Sequence, residues 1–472
     1  MKKLLTILFL SIFTFSLFAQ SDDDLFGGSD DDFFVDDSIT EVSDVSAKTD
    51  LSKGVIFDSG TVKVGGSLTA GITTNTILYS PDSTDFGENI KNSKLTPDLS
   101  ALLSVDARPT QNLRLYTKFG LAYPFVNKVS GYYKTNAFGQ TTTELIGLEN
   151  GTPVFGVKTV NSISDWFKLK ELFTDFSIKD TAFFRFGVHT VTWGAGYFFS
   201  PVSDMINTSS IDPENPEKQV DGALNLRTQI VFSGSQNCLW FYVIPSTNFT
   251  NQTAESYLRE TALAGKADIL IGNWEFGLGA FYKYQNAPKA MLTATGSLKK
   301  VSFFGEFVYS YGADSEWIAN KEWNDKTSIF QATAGLSYYW KEPQITLAAQ
   351  YYYNGNSKDI TSYIIGGHNI AAMASFGKLF GSTDFSASIF AMANFGREEY
   401  DPNVLKLVEQ AGLDKATIAA MTGTSLTTTA MFYYSPINEL KMGLGPVLAF
   451  KTFDKNPTLS LKLSASLGGG KF

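Results

Sequence analysis

The stretch "ELFTDFSIKDTAFFRFGVHTVTWG", Glu171–Gly194, decides the fold. Phe184, Phe186 and Val188 alternate with Arg185 and His189. A helix would scatter these residues around its circumference, whereas a strand sends successive side chains to opposite faces. The segment before "KDT" alternates in the same way: Leu172, Thr174, Phe176 and Ile178 oppose Glu171, Phe173, Asp175 and Ser177. Two alternating strands joined by a tight turn predict a hairpin. A register in which paired numbers sum to 360 sets Asp175 opposite Arg185 and Glu171 opposite His189. What the apolar row faces, a soluble core or lipid, depends on the rest of the chain.

Alternation of this kind recurs from residue 61 to the C-terminus. Val62, Val64, Leu68, Ala70, Ile72 and Leu78 oppose Lys63, Ser67, Thr69, Thr73 and Asn75. Leu99, Ala101, Leu103 and Val105 oppose Ser100, Ser104 and Asp106, and Leu113, Leu115, Phe119 and Leu121 oppose Arg114 and Lys118. Continued to the end, the pattern gives eighteen candidate strands, with sixteen as the alternative, most of 10–14 residues. A membrane-crossing strand needs about 9–11 residues, whereas strands of soluble sheets run to about 5–6.

The connections alternate between short ("RPTQ", "KDTA", "SGSQ", "GN", "KK", "KEP", "GST", "SPI") and long (126–165, 194–219, 313–326, 355–366, 396–423), with "QNAPK" short where a long one is due. Outer-membrane barrels pair tight periplasmic turns with longer outer loops in this way. Aromatics, 14% of the chain, cluster at strand ends, among them Tyr79, Tyr123, Trp193, Trp274, Tyr311, Trp340 and Tyr353. Such rings form the interfacial girdles of barrels. Strand length, loop asymmetry and girdle together assign the apolar row to lipid. The fold class expected is all-β, a transmembrane antiparallel up-and-down barrel over 61–472.

Residues 1–19, "MKKLLTILFLSIFTFSLFA", have the basic start, apolar run and small final residue of a secretory signal peptide. No later stretch reaches the roughly 18 apolar residues of a membrane helix. The net charge of −9 is local. Eleven acidic residues and one lysine fall in 21–50, within a segment 20–60 read as acidic, flexible and periplasmic, while 51–472 carries −1. No basic patch points to nucleic acid. Cys238 is the only cysteine, which rules out an internal disulfide.

With the apolar rows outward, Arg114, Lys118, Glu171, Asp175, Arg185, His189 and Arg227 face the lumen, joined by Arg108 and Asn225 and, farther round, by Lys266, Asp268, Glu275, Lys283 and Glu306. A midplane Arg or Lys in hydrocarbon would cost about 2–4 kcal/mol. In a wet lumen it shapes the field that ions meet. The mixed signs predict weak ion selectivity with local cation and anion tracks, beside the plainer reading of pairs that hold register. His189 near Glu171 could serve as an oriented base, but no G-x-S-x-G elbow or H-E-x-x-H pair accompanies it, so no enzyme, metal or cofactor is expected.

The segment 192–227 is the least generic. It resembles outer-membrane porin-like barrels with a strand end "WGxG", then "PxD", then a proline-rich loop and a strand beginning "GAxxxR". Trp193, Gly194, Gly196, Pro201, Asp204, Pro213, Gly222 and Arg227 stand at the matching places. The resemblance covers about 60 residues (166–227) and implies a barrel of the porin or substrate-channel type with Trp193, Pro201, Asp204 and Pro213 in a loop at or in the mouth. The final strand resembles the ending recognised by the barrel assembly machinery through Phe472, although Leu459–Leu467 alternate out of phase with it unless a bulge in "GGG" intervenes.

Near-helical spacing of Leu405, Val408, Leu413, Ile418 and Met421 predicts short helices in 401–423. The function expected is passive diffusion of small hydrophilic solutes or ions. The alternatives are a FadL-like hydrophobic-substrate transporter and a surface adhesin. Outer-membrane lipids are the expected surroundings, and monomer and homo-oligomer remain open.

Overall fold

The computed structural model describes residues 48–50, 55–81, 85–91, 93–123, 133–135, 141–143, 145–149, 152–155, 167–179, 181–214, 216, 220–246, 253–359, 366–395, 424–437, 439–450 and 457–471. The proposed signal peptide, most of the acidic segment, the 401–423 helices and Phe472 lie outside them.

Eighteen strands form the wall: β1 (Val62–Tyr79), β2 (Lys94–Thr110), β3 (Leu113–Ala122), β4 (Phe167–Ile178), β5 (Ala182–His189), β6 (Ala223–Val231), β7 (Cys238–Ile244), β8 (Ala262–Ile271), β9 (Trp274–Tyr282), β10 (Lys289–Leu298), β11 (Val301–Tyr311), β12 (Ser328–Trp340), β13 (Ile345–Asn354), β14 (Gly367–Phe376), β15 (Phe385–Phe395), β16 (Ser425–Ile437), β17 (Leu440–Phe450) and β18 (Thr458–Lys471). Each pairs antiparallel with the next, and β18 pairs with β1 from Leu459↔Tyr79 to Lys471↔Ser67, closing the sheet. Closure removes the edges of the eighteen-strand wall. Eighteen strands is the count expected from the alternation, and the sixteen-stranded alternative falls away.

The opening hairpin has the expected register. Asp175 faces Arg185 and Phe176 faces Phe184 between β4 and β5. The described rungs stop at Leu172↔Val188, one short of Glu171 and His189. On their other edges, Glu171 is opposite Lys118 on β3, and His189 opposite Ala223 on β6. The apolar rows lie on the outer surface, as at Leu172 (50% exposed) and Phe186 (49%). The glycine slip near the C-terminus is also present. Gly468 takes φ +103°, and the β18–β1 register shifts between Gly468 and Lys471, as a bulge requires.

Long connections gather at one rim and short turns at the other. Short strands at Lys48–Asp50 and Val55–Asp58, from the stretch read as an acidic segment, pair with each other, and the second continues along β1 at Lys63–Gly65. Among the described residues no helix is long and apolar enough to cross a membrane.

Candidate functional site

The connection between β5 and β6, residues 190–222, turns into the barrel and is held there by the wall. Glu306 on β11 is 4% exposed and accepts four hydrogen bonds from this one loop. The Ala195 and Gly196 amides donate to its Oε1 at 2.6 Å each, the Ser200 hydroxyl to the same oxygen at 2.8 Å, and the Val202 amide to Oε2 at 2.9 Å. Gln350 on β13 continues the capture. Its Oε1 accepts from the Tyr197, Phe198 and Phe199 amides at 3.1, 2.6 and 3.2 Å, and its Nε2 donates to the Phe199 carbonyl at 2.6 Å. Thr333 on β12 accepts a second bond from that amide, which fixes its orientation. On β8, Lys266 donates to the Trp193 carbonyl at 2.8 Å and pairs with Asp268 at 2.9 Å. Two wall side chains thus satisfy six backbone amides that have no sheet ladder to join, meeting the requirement that buried polar groups be paired.

Apolar packing extends the seat. Val191, Trp193, Val202 and Ile206 pack with Tyr242, Ala264, Phe281, Met291 and Val308 on β7–β11. Phe198 and Phe199 pack with Ala348, Tyr352, Ala371 and Phe390 on β13–β15. A loop that leaves the wall at β5 therefore reaches strands on the opposite side of an eighteen-strand ring. Trp193 corrects its reading as a girdle residue. It is 4% exposed inside the barrel, its indole donating to the Val202 carbonyl at 2.7 Å. Pro201 is buried, and Asp204 and Pro213 are half-buried. Gly196 is required by close approach, since a Cβ there would stand 1.8 Å from the Phe199 carbonyl oxygen. Gly196→Ala is expected to unseat the loop. Protease cuts within 190–222, mapped by mass spectrometry, should appear in the variant and be rare in the parent.

The predicted lumen residues form a charged band on the wall from β2 to β8. Arg114 chelates Asp106 through two bonds of 3.0 Å and approaches Asp175 at 3.8 Å. Asp175 receives Arg185 through bonds of 2.6 and 3.0 Å. The Arg185 guanidinium lies 4.0 Å from the Phe173 ring centre, and Arg227 lies over Trp240 at 5.4 Å, both within cation–π range. The Trp240 indole donates to Asp268. Arg185 and Arg227 are direct register partners, an arrangement of like charges that costs stability. Lys118 and Glu171 are register partners between β3 and β4. His189 is fully buried beside Phe173 and makes no hydrogen bond through either ring nitrogen. The base role imagined for it with Glu171 finds no support in this placement.

Wetness divides the inner wall. Under the loop, Met291, Thr293, Glu306, Val308, Thr333, Gln350, Tyr352 and Ala371 are buried. Opposite, Thr427, Thr429, Lys462, Thr73, Asp106, Arg114, Lys118 and Glu171 keep solvent contact. Among the described residues, the inner wall that keeps solvent contact runs from β16 through β1 to β4.

Sequence reasoning placed Glu306 in the lumen without a role and missed Gln350, Thr333, Phe198 and Phe199. A signal was available: Glu306 in "FFGEFVY" is the lone carboxylate, and Gln350 in "LAAQYYY" the lone carboxamide, among apolar and aromatic residues.

No protein-family model and no curated protein matches the chain. Solved structures do. Pseudomonas aeruginosa OccK9 (OpdG) is 9% identical with a TM-score of 0.46, over 86% of this chain and 98% of that one. Pseudomonas aeruginosa OccK3 (OpdO) is 9% identical with a TM-score of 0.47, over 86% and 95%. A BenF-like porin from Pseudomonas fluorescens is 8% identical with a TM-score of 0.46, over 86% and 98%. The fold stated above rests on this chain's own strand pairing: a closed antiparallel up-and-down barrel.

Proposed function

We propose that the chain is an outer-membrane porin-like channel through which small hydrophilic solutes or ions diffuse passively. The observation that carries this reading is the divided inner wall: side chains under the loop are buried, whereas Thr427, Thr429, Lys462, Thr73, Asp106, Arg114, Lys118 and Glu171 across from it keep solvent contact. Such a loop narrows a pore without replacing its polar wall, and charges along a constriction govern which ions pass. Export by the N-terminal signal, assembly through the C-terminal strand ending in Phe472, and an outer-membrane lipid setting complete the proposal.

Planar-bilayer recording of the refolded mature chain tests it. Uniform, stable conductance steps are expected, and a folded barrel that stays electrically silent would overturn the channel in favour of a plugged transporter or an adhesin. Arg185→Glu changes the band by two charges next to Arg227. The reversal potential in a salt gradient should move toward cation preference, and an unchanged ratio would reduce Arg185 to a wall-holding role.

A further inference from the structure

We propose that protonation of Asp204 sets how tightly the inward loop is held, making the constriction a proton-sensitive latch. Asp204 lies in the 3-10 turn Ser203–Met205, two residues after Val202, whose amide binds Glu306. Its own amide donates to the Ser200 carbonyl at 3.0 Å, and the Ser200 hydroxyl binds Glu306. Asp204 thus belongs to the anchored turn through its backbone, and its carboxyl Oδ1 is buried with no hydrogen-bond partner.

Among the described residues, these groups act on it. Within the loop, the Ser210 hydroxyl bonds the carboxyl. From β11 it faces Glu306, and from β13 the Tyr352 phenol, whose oxygen accepts from Gln331. On β8, Lys266 is committed to Asp268 and the Trp193 carbonyl.

Burial pushes Asp204 up to about 7. The Ser210 bond works against the shift and the Glu306 charge adds to it. Released into water, the same carboxyl titrates near 3.9, about its ordinary value. Between about 4 and 7 the seated loop keeps a proton that the released loop gives up. Seating therefore weakens as pH rises through that window and changes no further above it. Above pH 7 the Asp204 carboxylate faces Glu306 inside the anchor. The electrical consequence rests on the channel reading, whereas the seating itself does not.

Hydrogen exchange of amides 195–202 in the refolded full-length protein, corrected for intrinsic rates and followed from pH 4 to 9, tests the latch. Protection should fall by up to about tenfold per pH unit between 4 and 7, then level off. Asp204→Asn should hold its protection flat across the range. Ser210→Ala, which removes the opposing hydrogen bond, should carry the fall to higher pH, and it keeps the test decisive if the first variant does not fold. A flat profile in the parent, or an unchanged slope in Asp204→Asn, overturns the proposal. In bilayers, excursions to larger conductance should become frequent over the same window. A silent barrel would defeat the channel reading while leaving the exchange profile to decide this one.

Discussion

Replacing Glu306 and Gln350 together by alanine is expected to raise single-channel conductance several-fold while the barrel stays folded. The double substitution strips acceptors from six loop amides and the Ser200 hydroxyl. A buried donor left without a partner costs about 1–3 kcal/mol. The seated loop cannot carry several such costs, because about 1–2 kcal/mol already changes a population ratio by roughly 5–30-fold. It has an inexpensive escape, since amides that swing toward the aqueous lumen find water. The energy therefore appears as loop displacement rather than global unfolding, because the eighteen-strand ladder does not include these groups. Single variants should show intermediate, noisier openings. Steps identical to the parent's, in a variant whose loop amides still resist exchange, would mean that Phe198, Phe199 and Trp193 hold the loop by packing alone.

The barrel was legible because its determinants are local. A strand's period of two shows which face is apolar within ten residues, and a tight turn fixes register across a hairpin, so Asp175 and Arg185 could be paired from their numbers. The loop was half legible. The resemblance placed Trp193, Pro201, Asp204 and Pro213 at or in the mouth, but the loop's path depends on Glu306 and Gln350, more than a hundred residues away. Nothing in a strand's alternation says which inward side chain will meet a loop from across the ring. The Glu171–His189 pairing lies one step past the last described rung, Leu172↔Val188. β5 ends at His189, where the chain leaves the ladder for the loop, and an extrapolated register has no meaning past the last hydrogen-bonded rung.

Phe186→Arg is the sharpest test of which way the opening hairpin faces. Phe186 sits near the middle of β5, paired with Thr174 and Leu226, and its ring is on the outer surface beside the row of Leu172 and Phe176. In a bilayer that row contacts hydrocarbon, and an arginine near the midplane costs about 2–4 kcal/mol. One position earlier, Arg185 is already accommodated by two bonds to Asp175 and the Phe173 ring. Two adjacent residues therefore have opposite tolerances for one side chain. Denaturant unfolding of the refolded barrel in lipid vesicles should show Phe186→Arg destabilised by that amount beyond Phe186→Ala, the excess reporting the charge and not the lost ring. A cost under about 1 kcal/mol would place residue 186 near an interface or in water. If Leu172→Arg were equally mild, the apolar row could not be a lipid face, and the barrel would have to be read as a soluble one.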